Sequence, residues 1–133
     1  MVTINRKIRQ FSDLNLLFSA HPATADVTKK NDEEAVKSAI RNLILTKNYE
    51  RPFHPEIGCQ IHSLLFELWD PVIQTVMEQT IKDVINKFEP RASVVRVEVS
   101  DLSDSNAVDV TVEFIMQNIN KPITITTTLS RVR

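Results

Sequence analysis

A two-layer α+β fold is predicted by a change in the spacing of apolar residues along the chain. Between residues 31 and 88 they recur at about the 3.6-residue period of a helix. Between residues 93 and 130 they alternate with polar residues, the period of a half-buried strand. A third observation separates two of the helices. The stretch ERPFHPEIGC, Glu50 to Cys59, holds the single glycine, the single cysteine and two of the six prolines. Two main amphipathic helices plus a short helix, packed on a three-stranded antiparallel meander and preceded by an N-terminal arm, account for all three.

Residues 1–30 are expected to form that arm. Leu14, Leu16, Leu17 and Phe18 make an apolar patch, and a polar stretch containing Pro22 follows. A short strand or extended arm and then a loop fit this pattern. A strand within the domain and an arm lying on a neighbouring subunit are both open. Residues 31–133 are expected to form one domain.

The first helix is read from NDEEAVKSAIRNLILTKN, where Ala35, Val36, Ala39, Ile40, Leu43 and Ile44 form one stripe. Asn31 or Asp32 can cap its start, and Glu33 and Glu34 suit the positive end of the helix dipole. Lys47 is expected to complement the other end. Pro52 and Pro55 then fix their own backbone and push Arg51 and His54 toward extended conformations. Gly58 supplies a positive φ or a close backbone approach. A stiff, extended loop pinning Phe53 and Ile57 against the core is the expectation. A short helix follows, with Ile61, Leu64, Leu65 and Leu68 on one face.

The third helix is the clearest. Asp70 is a good N-cap and Pro71 suits the first helical position. Val72, Ile73, Val76, Met77, Ile81, Val84, Ile85 and Phe88 form its apolar stripe, and Pro90 stops it. In the strands Val95, Val97 and Val99, then Val108, Val110, Val112, Phe114 and Met116, then Ile123, Ile125, Thr127 and Leu129 share the inward face.

Composition narrows the function. A chain of 133 residues fits one domain, and 42% hydrophobic with 25% charged residues fits a globular core. A net charge of -1 gives no basic surplus for nucleic acid. No apolar run approaches the ~20 residues of a membrane helix. A lone cysteine makes no internal disulfide, and MVTINRKIRQFSD contains no signal-peptide core, so cytosolic synthesis is expected.

Catalytic and metal-binding patterns are weak. His54, Cys59 and His62 follow His-x4-Cys-x2-His, which matches no familiar zinc spacing; a buried cysteine with two surface histidines is the plainer reading. Glu56, Glu67, Asp70 and Glu89 flank the loops, but with aromatics at 6% and one tryptophan, Trp69, nothing predicts a sugar-binding cleft between them. Caps and loop ion pairs account for them. No phosphate loop fits one glycine. Neither cofactor nor metal is expected.

Glu89-Pro90-Arg91, within FEPRASV, lies where the long helix becomes the first strand. Proline fixes the turn, and the guanidinium can grip a carboxylate with two bonds. An ordinary salt bridge at a helix end and an inter-subunit anchor both fit.

RPFHPEIGCQIHSLLFE followed one helix later by FEPRASV resembles the small baseplate wedge subunit family of contractile phage tails, which includes the type VI secretion baseplate counterpart. The resemblance covers about residues 30–133. It implies a structural, non-enzymatic subunit of a virion tail baseplate, assembled in the host cytoplasm as part of a hetero-oligomer. Larger wedge subunits would contact Glu89, Pro90 and Arg91, with Arg51, Pro52 and Phe53 shaping the adjacent loop. The sheet would template the first ring of tail sheath. Some family members carry a lysozyme-like label and some homologues act as regulatory adaptors, so a peptidoglycan hydrolase and an adaptor are the alternatives. The last strand, 122–130, is expected at a sheet edge, where Thr124, Thr126 and Thr128 tolerate a strand added by the sheath protein. Protection of that edge by twist or by the N-terminal arm is the competing reading.

Overall fold

The computed structural model describes residues 11–117 and 119–131. The first ten residues of the expected arm lie outside it. Strands β1 (Ser12–Leu14) and β2 (Lys29–Asn31) form a small antiparallel hairpin, with Ser12 opposite Asn31 and Leu14 opposite Lys29. Helices α1 (Asp32–Leu45), α2 (Ile61–Leu64) and α3 (Pro71–Phe88) follow. The antiparallel meander of β3 (Ala92–Leu102), β4 (Ala107–Met116) and β5 (Ile119–Ser130) completes the chain, in the order β3-β4-β5. The fold is α+β, as its two periodicities predict.

Helix α1 buries Ala35, Val36, Ile40, Leu43 and Ile44, and Asp32, Glu33 and Glu34 occupy its first turn. Asn31 stands at the N-cap position, but its side chain makes no cap bond. The helix stops at Leu45 because Thr46 turns extended and its Oγ1 donates to the Asn42 carbonyl at 2.7 Å. Lys47 therefore lies beyond the last turn.

Helix α2 is shorter than its apolar spacing suggests. Bonds of the i to i+3 kind, Phe66 N to Ser63 O and Glu67 N to Leu64 O, wind the chain out of the helix. Leu65 is still buried, whereas Leu68 is left 88% exposed. In α3 the Asp70 carboxylate accepts the Val72 N–H at 3.1 Å, with Pro71 next to it. Met77, Ile81 and Ile85 are buried and Ile73, Val84 and Phe88 pack beside them. Val72 and Val76 are exposed, contrary to the stripe drawn from the sequence. Each residue turns a helix by about 100°, which sets both to one side of the Met77–Ile81–Ile85 line.

In β3 the alternation slips once. The register shifts between Val94 and Arg96, so Val95 bulges outward and Val94 takes its place against the core. Val97 and Val99 return to the inward face. In β4 Val108, Val110, Val112, Phe114 and Met116 are buried, and in β5 Ile123, Ile125, Thr127 and Leu129. Each large apolar side chain so buried contributes roughly 1.5–3 kcal/mol, most of it offset by chain entropy. Both main helices lie on this one face. Among the described residues no helix is long and apolar enough to cross a membrane.

Candidate protein-binding site

The corner between α3 and β3 is built by three consecutive residues. Glu89 ends the helix, its N–H donating to the Ile85 carbonyl at 2.8 Å. Pro90 prevents further helix, and its carbonyl accepts from Gln117 Nε2 at 2.7 Å. Arg91 then opens the sheet, its carbonyl accepting the Gln117 N–H. The turn aims Arg91 back at Glu89. Arg91 Nε donates to Glu89 Oε1 at 2.6 Å and Nη2 to Oε2 at 2.8 Å, a two-bond fork. Glu89 is only 6% exposed, and a carboxylate that deep persists because it is paired. Its hydrogen bond in turn holds the Arg91 guanidinium above the ordinary arginine pKa.

A third residue completes the corner, one that the sequence gave no reason to single out. Arg91 Nη1 and Nη2 donate to Asp13 Oδ1 and Oδ2 at 3.2 and 3.1 Å, across 78 positions of chain. The Phe11 ring stands 5.5 Å from the guanidinium carbon. Phe11 and Asp32 exchange bonds: Asp32 Oδ1 accepts the Phe11 N–H at 2.9 Å, and the Asp32 N–H donates to the Phe11 carbonyl at 2.7 Å. The β1–β2 hairpin is thus fastened at both the corner and the start of α1. Beyond it Leu14, Leu16, Leu17 and Phe18 remain exposed.

The glycine–proline loop is a chain of tight turns rather than an extended segment. Its two ends are joined by Cys59 N–H donating to the Thr46 carbonyl at 2.8 Å. Gly58 has φ +147°, and a Cβ there would sit 2.7 Å from the Lys47 carbonyl carbon and oxygen. Both reasons for a glycine, conformation and clearance, apply. Ile57 packs on the core, but Phe53 does not; it is 96% exposed at φ 67°. The turn after Pro52 swings its side chain away from the protein. Arg51 lines an open cleft of about 520 Å³ together with Leu14, Leu16, Leu43, Ile57 and Glu89. No carboxylate among the described residues pairs with it. The corner, the hairpin and the loop meet around this cleft; Phe53 stands at the tip of the loop.

Thr124, Thr126 and Thr128 lie apart from the cleft, on the outward face of β5, the border strand. Thr128 Oγ1 donates to Asp109 Oδ1 at 2.6 Å and Thr126 Oγ1 lies 3.3 Å from Thr111 Oγ1, so both are tied to β4. The hydroxyl of inward-facing Thr127 is buried without a partner. The opposite border differs, since the Val99 N–H of β3 donates to Glu78 Oε1 of α3 at 3.2 Å.

The other candidates are dispersed. Cys59 is buried, and burial pushes its thiol pKa up. His54 Nδ1 lies 3.3 Å from Glu56 Oε1, whereas His62 Nε2 lies 3.2 Å from the Leu45 carbonyl. No group of three or more His, Cys, Asp or Glu among the described residues is arranged to hold a metal. Asp70 caps α3 and Glu89 grips Arg91.

Fold and corner together define a component of contractile-tail baseplates. Residues 30–121 match the baseplate wedge protein gp25 family, and the chain belongs to that family. It is similar to baseplate wedge protein gp25 of Enterobacteria phage T4, with 29% identity over 89 residues, or 67% of each chain. A Geobacter sulfurreducens structure described as a putative tail lysozyme superposes with a TM-score of 0.71 at 22% identity, covering 76% of this chain and 92% of that one. A chain of the anti-feeding prophage baseplate gives a TM-score of 0.64 at 19% identity, covering 93% of this chain and 88% of that one. Both structures share the fold.

Proposed function

We propose that this protein is a non-enzymatic subunit of a baseplate wedge. It joins larger wedge subunits through the Glu89-Pro90-Arg91 corner and the Arg51-Pro52-Phe53 loop, and offers β5 to the first ring of tail sheath. The observation that carries this reading is the family match over residues 30–121. Two features of the molecule support the details. Phe53 is a large aromatic held in a left-handed conformation with its ring in solvent, a costly arrangement that suits an anchor for a partner's pocket. Along β5 the backbone groups that face away from β4 have no strand beside them among the described residues, and an added strand would satisfy them.

Co-expression with the neighbouring baseplate and sheath genes, followed by sizing of the complex, tests the reading. The protein is expected to elute with wedge subunits, and Phe53→Ala to elute alone. Thr126→Lys, a charge on the border strand, is expected to enter the wedge but to start sheath rings poorly. A Phe53→Ala chain that assembles normally overturns the loop's role. Hydrolysis of cell-wall polymer by the purified protein, lost in Glu56→Gln or Glu67→Gln, would favour the enzymatic alternative.

A further inference from the structure

The family match begins at residue 30, and the hairpin before it sits on the most specific motif inside the match. Asp13, on β1, places both carboxylate oxygens on the outer nitrogens of Arg91. Leu14 and Leu16 lie beside it along the cleft that Arg51, Leu43 and Ile57 line. The hairpin thus presents to the corner what a protein partner of that corner would present: a carboxylate followed by apolar side chains. We propose that it is an internal stand-in for the partner. Building on the wedge assignment, we infer that an acidic–apolar segment of a larger wedge subunit takes its place by exchanging one carboxylate for another on Arg91.

The hairpin is suited to exchange. It has three residue pairs, too few for an isolated hairpin to persist in water. Its leucines are mostly in solvent, so little apolar contact is lost when it leaves. Most of its attachment is polar: the Asp13 fork, the Phe11 ring over the guanidinium and the Phe11–Asp32 bonds. Glu89 holds Arg91 in place from the buried side throughout, so the fork stays aimed after Asp13 departs. Occupation of the corner by its own chain lowers the apparent affinity for a partner by the fraction of molecules that are open. It also covers a charged corner until the right partner arrives.

Two measurements on the full chain test this. In Asp13→Asn the hairpin keeps its shape but loses its charge, and backbone hydrogen exchange over residues 11–31 is expected to speed up about tenfold while α3 is unchanged. The same variant should bind the co-expressed larger wedge subunits several-fold more tightly. A cysteine pair, Ser12→Cys with Asn31→Cys, joins opposed residues of β1 and β2 and fastens β1 to the start of α1. Its oxidised form should bind several-fold more weakly than the wild type and recover on reduction. Weaker binding by Asp13→Asn, or exchange that does not change, overturns the stand-in role while leaving the wedge assignment in place. A wild type that ignores every wedge subunit overturns the wedge assignment itself, even if the exchange rates behave as expected.

Discussion

Two Arg–Pro segments lie close together, and the fold treats them in opposite ways. At the corner, Arg91 is three-quarters buried, forked onto Glu89 and shared with Asp13. In the loop, Arg51 has no carboxylate partner among the described residues, and Phe53 two positions on is almost wholly in solvent. Both combine a proline with an arginine, so the residue types alone do not separate them. What separates them is where the proline falls. Pro90 ends a helix that is packed on the sheet, which points its neighbours into the body of the protein. Pro52 sits in a turn anchored only at its two ends, which leaves its neighbours outside. A stiff residue fixes direction; the surrounding packing decides whether that direction is inward.

This contrast can be broken by substitution. The largest effect is expected at the base of the loop, where Gly58→Ala puts a methyl against the Lys47 main chain and should cost roughly 3–5 kcal/mol. Urea denaturation would show it, and a cost under about 1 kcal/mol would mean the loop's ends yield easily. Arg91→Ala comes next. It leaves buried Glu89 unpaired and should lower stability by about 3 kcal/mol. Replacing both residues, Glu89→Ala with Arg91→Ala, should be milder than Arg91→Ala alone, because no orphan charge stays inside. A double-mutant cycle in which the two losses simply add would contradict the coupling drawn from the fork. The smallest effects belong to the loop tip: Arg51→Ala and Phe53→Ala should stay within about 0.5 kcal/mol of the wild type. A Phe53→Ala midpoint shifted as far as that of Arg91→Ala would erase the distinction between corner and loop.

The accuracy of the sequence reading followed how locally each feature is determined. Helix α3 was legible because cap, proline and stripe all lie within its own residues, and the β4 and β5 faces because alternation is local too. Val95 misled because one inserted residue reverses the face without disturbing the pattern of residue types. Val72, Val76 and Leu68 misled because an apolar residue near a stripe reads as part of it until its neighbours are known. Glu89 and Arg91 stood out through the proline between them. Asp13 could not, since nothing in SDLNLLF records a partner 78 positions away. Phe53 shows the reverse error, an aromatic assigned to the core on its type alone.

Glu78 has a consequence beyond α3. By taking up the Val99 N–H it closes one side of the sheet, and the bulge at Val95 roughens that same side. A sheet that accepts a neighbour on one side only cannot be passed along from copy to copy. Such a molecule behaves as an end piece: it can begin a row of paired strands, and a second copy of itself cannot continue the row on the closed side.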